Sequence, residues 1–326
     1  MPSFCRHNRF VQNCPICREP EPPKARAKST AARPRTAGAT RATSARRSSS
    51  GASGTMRVRK LTRAADDGYS SPLVPGLRAT ADAEQLADEI GFATGRLGEL
   101  AASPPGLYAD AASAPDRDEG VWLAAQIVLL GPAEEADDPF AALRDVVVPW
   151  AGGQAPALDD LTFGPRSPFR DAAQATRSLA SLRSWAERNG GPAAALTGDA
   201  AWTPQRRFER LFERLGTVTG LGRARYDLLT VAGRLGLADV EAPSLLAGDN
   251  DDTTVAAKRV FGIGDRLLLD RRALELATEA EVPVAALDLA LANLDRPAGR
   301  PRMTIGARAD VADADAWARA ATALGL

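Results

Sequence analysis

From about residue 80 onward the apolar residues of this chain recur at helical spacing, and alternation of period two is scarce. That pattern excludes most β architectures for the body of the chain. AEQLADEIGFATGRLGELA (83–101) places Leu86, Ile90, Leu97 and Leu100 on one stripe. DEGVWLAAQIVLLG (118–131) starts acidic, ends on Gly131 and is apolar enough for a central buried helix. DDPFAALRDVVVPW (137–150) carries an Asp cap, Pro139 in its first turn and Pro149 as a stop. Further helices are predicted over 170–188, 204–215, 223–236, 253–261, 265–281, 283–295 and 312–325. The hydrophobic share of 44% is mostly Ala, Leu and Val, with 5% aromatic residues, which favours helices over sheets. The expected fold class is all-α.

Charge is segregated beneath a net balance of zero. Residues 1–63 hold 15 Lys or Arg against Glu19 and Glu21, and the remainder is acidic by the same margin. Residues 19–78 are rich in Ala, Ser, Pro, Gly and Arg and poor in large apolar side chains, so they read as a disordered basic linker. A basic arm on an acidic body suits DNA or another polyanion, with affinity that falls as salt rises; a solvated linker is the plainer explanation. No run of eighteen apolar residues exists, so no membrane partner is expected. The N-terminus lacks an apolar core for secretion, which points to a cytoplasmic, DNA-associated protein.

All three cysteines and the one histidine lie within thirteen residues, in FCRHNRFVQNCPIC. Cys5, His7, Cys14 and Cys17 form a C-x-H-x6-C-x2-C array, a ligand set suited to closed, structural zinc. Four protein ligands leave no open position for catalysis. So small a segment, residues 1–18, depends on such a staple to fold, and Arg6, Arg9 and Arg18 beside it can meet phosphate. The chain therefore divides into a zinc-binding segment (1–18), a basic linker (19–78) and a helical domain (79–326).

Two stretches of the helical domain carry chemistry. In FERLFERLGTVTGLGRARYDLLTVAGRLG (208–236), a helix meets Val218-Thr219-Gly220-Leu221-Gly222 and a second helix begins near Arg223. A Gly-x-Gly turn between helices presents backbone amides to a DNA phosphate, and ordinary helix turns also contain glycine. Gly220, Gly222, Arg223 and Arg225 are the candidate nucleic-acid contacts. About thirty residues later comes GDNDDTTVAAKRVFGIG (248–264), where Asp252, then Asp251, then Asp249 are candidate acids. Asp252 is equally placed to cap the following helix. Lys258 is a candidate cation for a leaving group, or an exposed helix charge. Gly262-Ile263-Gly264 is a rival hairpin turn.

This order, VTGLGRARYDLL followed by DNDDTTVAAKRVFG, resembles the DNA glycosylases of the helix-hairpin-helix superfamily, in which a hairpin precedes a catalytic Asp opening a later helix. More narrowly, residues 80–300 are similar to the alpha-glutamyl/putrescinyl thymine pyrophosphorylase group, the amino acid:DNA transferases. The resemblance implies a glycosylase-like helical domain acting on a flipped, hypermodified pyrimidine, with an Asp as acid, base or charge stabiliser. Two departures stand out. The spacing from hairpin to acid is longer than in ordinary glycosylases, and Ala224 stands where bifunctional members carry a lyase Lys. Two other readings stay open: a non-catalytic zinc-containing DNA-binding protein that keeps the hairpin, and a helical protein-interaction module. Trp122, Trp150, Trp202, Tyr226 and Phe261 are available either to wall a base pocket or to fill the core.

Overall fold

A computed structural model describes residues 64–133, 137–248, 251–296, 302–305 and 312–326. The chain divides into two units, Met1–Val58 and Arg59–Leu326, and the described residues belong to the second. The expected zinc ligands Cys5, His7, Cys14 and Cys17, and the linker up to residue 63, lie outside the described residues.

Among the described residues the fold is all-α, with twelve helices and no strand. They are α1 (Thr80–Ala102), α2 (Leu107–Ser113), α3 (Arg117–Leu130), α4 (Ala141–Arg144), α5 (Ala172–Arg188) and α6 (Pro192–Leu196). There follow α7 (Pro204–Leu215), α8 (Ala224–Arg234), α9 (Asp252–Phe261), α10 (Arg266–Glu279), α11 (Val284–Leu294) and α12 (Ala314–Leu324). Two groups of helices share the core. In one, α3 is surrounded by α2, α5, α6 and α8; in the other, α1 packs on α11 and α12, and α11 also meets α9 and α10.

Each group is organised around a helix that is apolar nearly all round. α3 starts at Asp116, whose carboxylate accepts the Asp118 amide, and stops at Gly131 in a left-handed conformation (φ +76°). Between those caps nearly every residue from Gly120 to Leu130 is buried, as the composition of 118–131 foretold. α11, VAALDLALANL, is buried over its whole length. Burying a Leu side chain stabilises by about 1.5–3 kcal/mol, so these two helices supply much of the apolar driving force.

Three expectations are corrected. The helix predicted over 137–150 shrinks to Ala141–Arg144. The β-branched run Val146–Val148 leaves helical conformation because its backbone has a better partner: the Gln126 side chain accepts the Val148 amide (2.9 Å) and donates to the Val148 carbonyl (2.8 Å), which also accepts from Trp122 Nε1 (3.0 Å). α2 and α6 escaped the periodicity reading because they are only 7 and 5 residues long. The ordered domain also begins before residue 79, since Ser71, Val74 and Leu77 are buried. Here Gly76 lies against α9: its amide donates to the Val260 carbonyl (2.9 Å), and a Cβ would stand 1.9 Å from the Arg259 carbonyl oxygen.

Leu289, fully buried in α11, and Leu267, 81% exposed on α10, make a matched test of this core. Leu289→Ala is expected to cost about 2–5 kcal/mol in urea unfolding, and Leu267→Ala to stay within about 0.5 kcal/mol. Similar costs at the two positions would contradict the packing described.

Candidate nucleic-acid interface and acidic site

The glycine-containing stretch 216–223 is a turn between α7 and α8. α7 is capped by Thr203, whose hydroxyl accepts the Arg206 amide, and it buries Phe208, Leu211 and Leu215. In the turn Val218 and Leu221 point into the core, while Thr219, Gly220 and Gly222 are exposed. Gly220 and Gly222 adopt left-handed conformations (φ +83° and +49°) that favour glycine. The turn rests on α5, where Ser181 Oγ accepts the Thr219 amide (3.2 Å) and Ser178 Oγ would lie 2.2 Å from a Cβ on Gly220. A Cβ on Gly222 would meet nothing within 4 Å.

The amides of Gly220, Leu221, Gly222 and Arg223 make no hydrogen bond among the described residues, and no side chain caps α8. An uncapped helix start with several unused amides is favourable ground for an anion. The rival turn differs in this respect. Gly262 closes α9 with φ +63°, but the next helix, α10, is capped by Asp265, which accepts the Leu268 amide (3.0 Å). A carboxylate already occupies that helix start, whereas no side chain caps the helix that follows Gly220–Gly222.

Arg223, expected on the outside with a phosphate, turns inward instead. Its guanidinium pairs with Asp288, donates to the Leu246 carbonyl (3.1 Å) and stacks 4.1 Å over the Tyr226 ring. Burial works against its charge, but Asp288, Tyr226 and Asp251 together outweigh that and hold the group above its ordinary value. Leu246, its carbonyl partner, sits at φ +47°, a left-handed strain of about 1–3 kcal/mol in a non-glycine residue. Arg225 stays at the surface edge, 3.8 Å over the Phe212 ring. Burial, and then the charge of Arg223, lower its pKa, so it is the under-compensated cation of the pair and the one a phosphate would relieve.

α9 begins one residue earlier than predicted, which shifts the roles of the acids. Asp251, not Asp252, is the cap: its carboxylate accepts the Thr254 amide (2.9 Å) and the Thr254 hydroxyl (2.8 Å). Asp252 is exposed in the first turn, Lys258 is half-buried in the last, and Asp249 lies outside the described residues. The neighbouring Arg259 pairs with Asp82 (3.3 Å) and Asp295 (2.7 Å) and serves the fold.

Sequence reading missed a buried ionic cluster. Arg166 forks onto Asp227, with Nε–Oδ2 at 2.8 Å, and reaches Asp288 at 3.3 Å. Asp288 is thus held between Arg166 and Arg223, while its backbone carbonyl accepts from Thr253 in α9 (3.5 Å). Arg166 and Asp227 also border a narrow cavity walled by Val128, Pro132 and Ile305. Burial raises the Asp227 pKa against the attraction of Arg166, and the charge of Asp288 adds to the rise. One signal was present in the sequence: Asp288 interrupts an otherwise apolar stretch, and an acid there needs a partner.

Of the aromatics weighed for a base pocket, Trp122, Tyr226 and Phe261 are core residues. Trp150 packs edge-on against Trp122 at 5.4 Å, with Arg183 stacked on it, and Trp202 lies 5.2 Å from Arg206. Among the described residues no group of three or more His, Cys, Asp or Glu is placed to hold a metal, and no helix is long and apolar enough to cross a membrane. No protein-family model, curated protein or solved structure matches this chain.

The raised pKa of Asp227 fixes the sign of a pH effect. Folding favours its protonated form, so its contribution is complete below the unfolded carboxylate value of about 3.9 and is lost as pH rises through the folded value. Wild type should therefore hold its largest stability advantage over Asp227→Asn at low pH, and the gap should narrow toward pH 7. Urea unfolding of both proteins across that range checks this; a gap that widens with pH would refute it.

Proposed function

We propose that this chain is a DNA-acting, base-modifying enzyme of the glycosylase-like or thymine-pyrophosphorylase type. On this reading the turn Val218–Arg223 holds a backbone phosphate, and the start of α9 supplies a carboxylate to a flipped pyrimidine. The observation that carries the reading is the start of α8, which no side chain caps and beside which Gly220 and Gly222 are exposed in left-handed conformations. Arg225 supplies the cation.

Among the acids, Asp252 is the candidate for the chemical step: it is exposed in the first turn of α9, and Asp251 is the residue that caps the helix. At the reacting carbon a carboxylate stabilises positive charge or accepts the proton of an attacking nucleophile. Lys258 is the candidate cation for a leaving group. The zinc segment and basic arm, residues 1–63, would add salt-dependent affinity for the polyanion.

A non-catalytic DNA-binding protein is the second reading, favoured by the capping bonds that occupy both carboxylate oxygens of Asp251. Two measurements separate the alternatives. Gly222→Ala adds a methyl group to the exposed turn, with nothing within 4 Å of it to strike. It should weaken DNA binding by about tenfold and cost about 1–2 kcal/mol of stability from its left-handed backbone. Mass spectrometry of nucleosides from DNA treated with wild type should show an altered base that Asp252→Asn no longer produces. DNA binding without any altered base leaves the second reading standing, and undiminished binding by Gly222→Ala removes the turn from both.

A further inference from the structure

α8 has a second end. Its eleven residues span about 16 Å, and the far end borders a separate cleft of about 220 Å³. Thr230 and Arg234 from α8, the loop around Val240 and the start of α11 form its walls. Nothing in the hairpin reading uses this cleft.

Three features of its lining lack partners of the same kind. The Thr230 hydroxyl is buried, in a residue only 7% exposed, and has no hydrogen-bond partner among the described residues. α11 starts at Pro283, which has no capping side chain; the amides of Ala286 and Leu287 turn back to the Pro283 carbonyl, but those of Val284 and Ala285 find no acceptor among the described residues. Arg234 is half-buried, and burial depresses its pKa with only the charge of Glu241 opposing. Of the acids at the rim, Asp239 pairs with Arg207, while Glu241 accepts from Gln205 (2.8 Å) and its charge also acts on Arg234. The carbonyls ending α8 are also used, Ala232 by Leu237 and Gly233 by Gly236.

We propose that this cleft binds a small oxyanion, a phosphate or carboxylate group, between the first amides of α11, the Arg234 guanidinium and the Thr230 hydroxyl. All three are donors, as an oxyanion requires, and charge-assisted bonds to a guanidinium and a helix start are the strong ones. Pro204, Val284 and Ala285 add an apolar wall for the organic part of such a ligand.

The test uses the full chain, with inorganic phosphate and acetate titrated separately at constant ionic strength. The amide resonances of Val284 and Ala285 are followed by NMR. A saturable shift at both amides is expected with at least one anion. Tighter phosphate marks a phosphorylated ligand, and tighter acetate a carboxylate. Arg234→Gln should weaken binding by about tenfold, and Thr230→Val by a smaller factor without altering side-chain size. No saturable shift with either anion, or unchanged affinity in Thr230→Val and whichever Arg234 variant folds (Gln or Lys), would overturn the site. Gly222→Ala should leave these titrations unchanged, so failure of the hairpin reading would not be mistaken for failure of this one.

Discussion

Asp288 accepts from two guanidiniums that arrive from distant parts of the chain, Arg166 from a loop and Arg223 from the head of α8. The carboxylate stands on α11, which is buried along its whole length, so water cannot take the place of either partner. Removing a charge from water costs several kcal/mol, and the attraction of the pair offsets this only when geometry and hydrogen bonds are complete. Here the fork on Asp227, the Leu246 carbonyl and the Tyr226 ring supply most of these contacts, and Arg223 Nε alone of the cluster's guanidinium nitrogens is buried without a hydrogen-bond partner. The cluster fastens the helix group around α3 and α8 to the group around α11. It also fixes where α8 begins, and with it the outward aspect of Gly220 and Gly222.

The same cluster explains what could and could not be read from the residues. α1 is announced by its own spacing, and α3, α5 and α7 by their spacing and caps, because the forces that form them are local. The failure at Val146–Val148 comes from a distant side chain, Gln126, that no window around residue 147 contains. Arg223 misled for a similar reason: beside a glycine turn it looks like a phosphate ligand, and only the fold brings Asp288 within reach, 65 residues along the chain. Asp251 and Asp252 show a finer limit, since a one-residue shift in the helix start exchanges which acid is held and which is exposed.

The two Gly-x-Gly turns also show why a short motif needs its surroundings. Both join helices, and both contain a left-handed glycine. What separates them is the residue that opens the following helix, Asp265 in one case and Arg223 in the other. A carboxylate cap satisfies helix amides from within the protein, whereas an arginine drawn inward leaves them unmet. Thus the inward salt bridge of Arg223 and the uncapped start of α8 are two sides of one placement.

The close approach of Gly76 to α9 bears on where the helical domain can be separated from what precedes it. The bond from its amide to the Val260 carbonyl makes the lead-in segment a structural neighbour of the helix that carries the acids. Trimming the basic arm at a boundary suggested by composition, near residue 78, would therefore cut into the support of α9. A clean separation of arm from body belongs ahead of residue 64, where the lead-in remains whole.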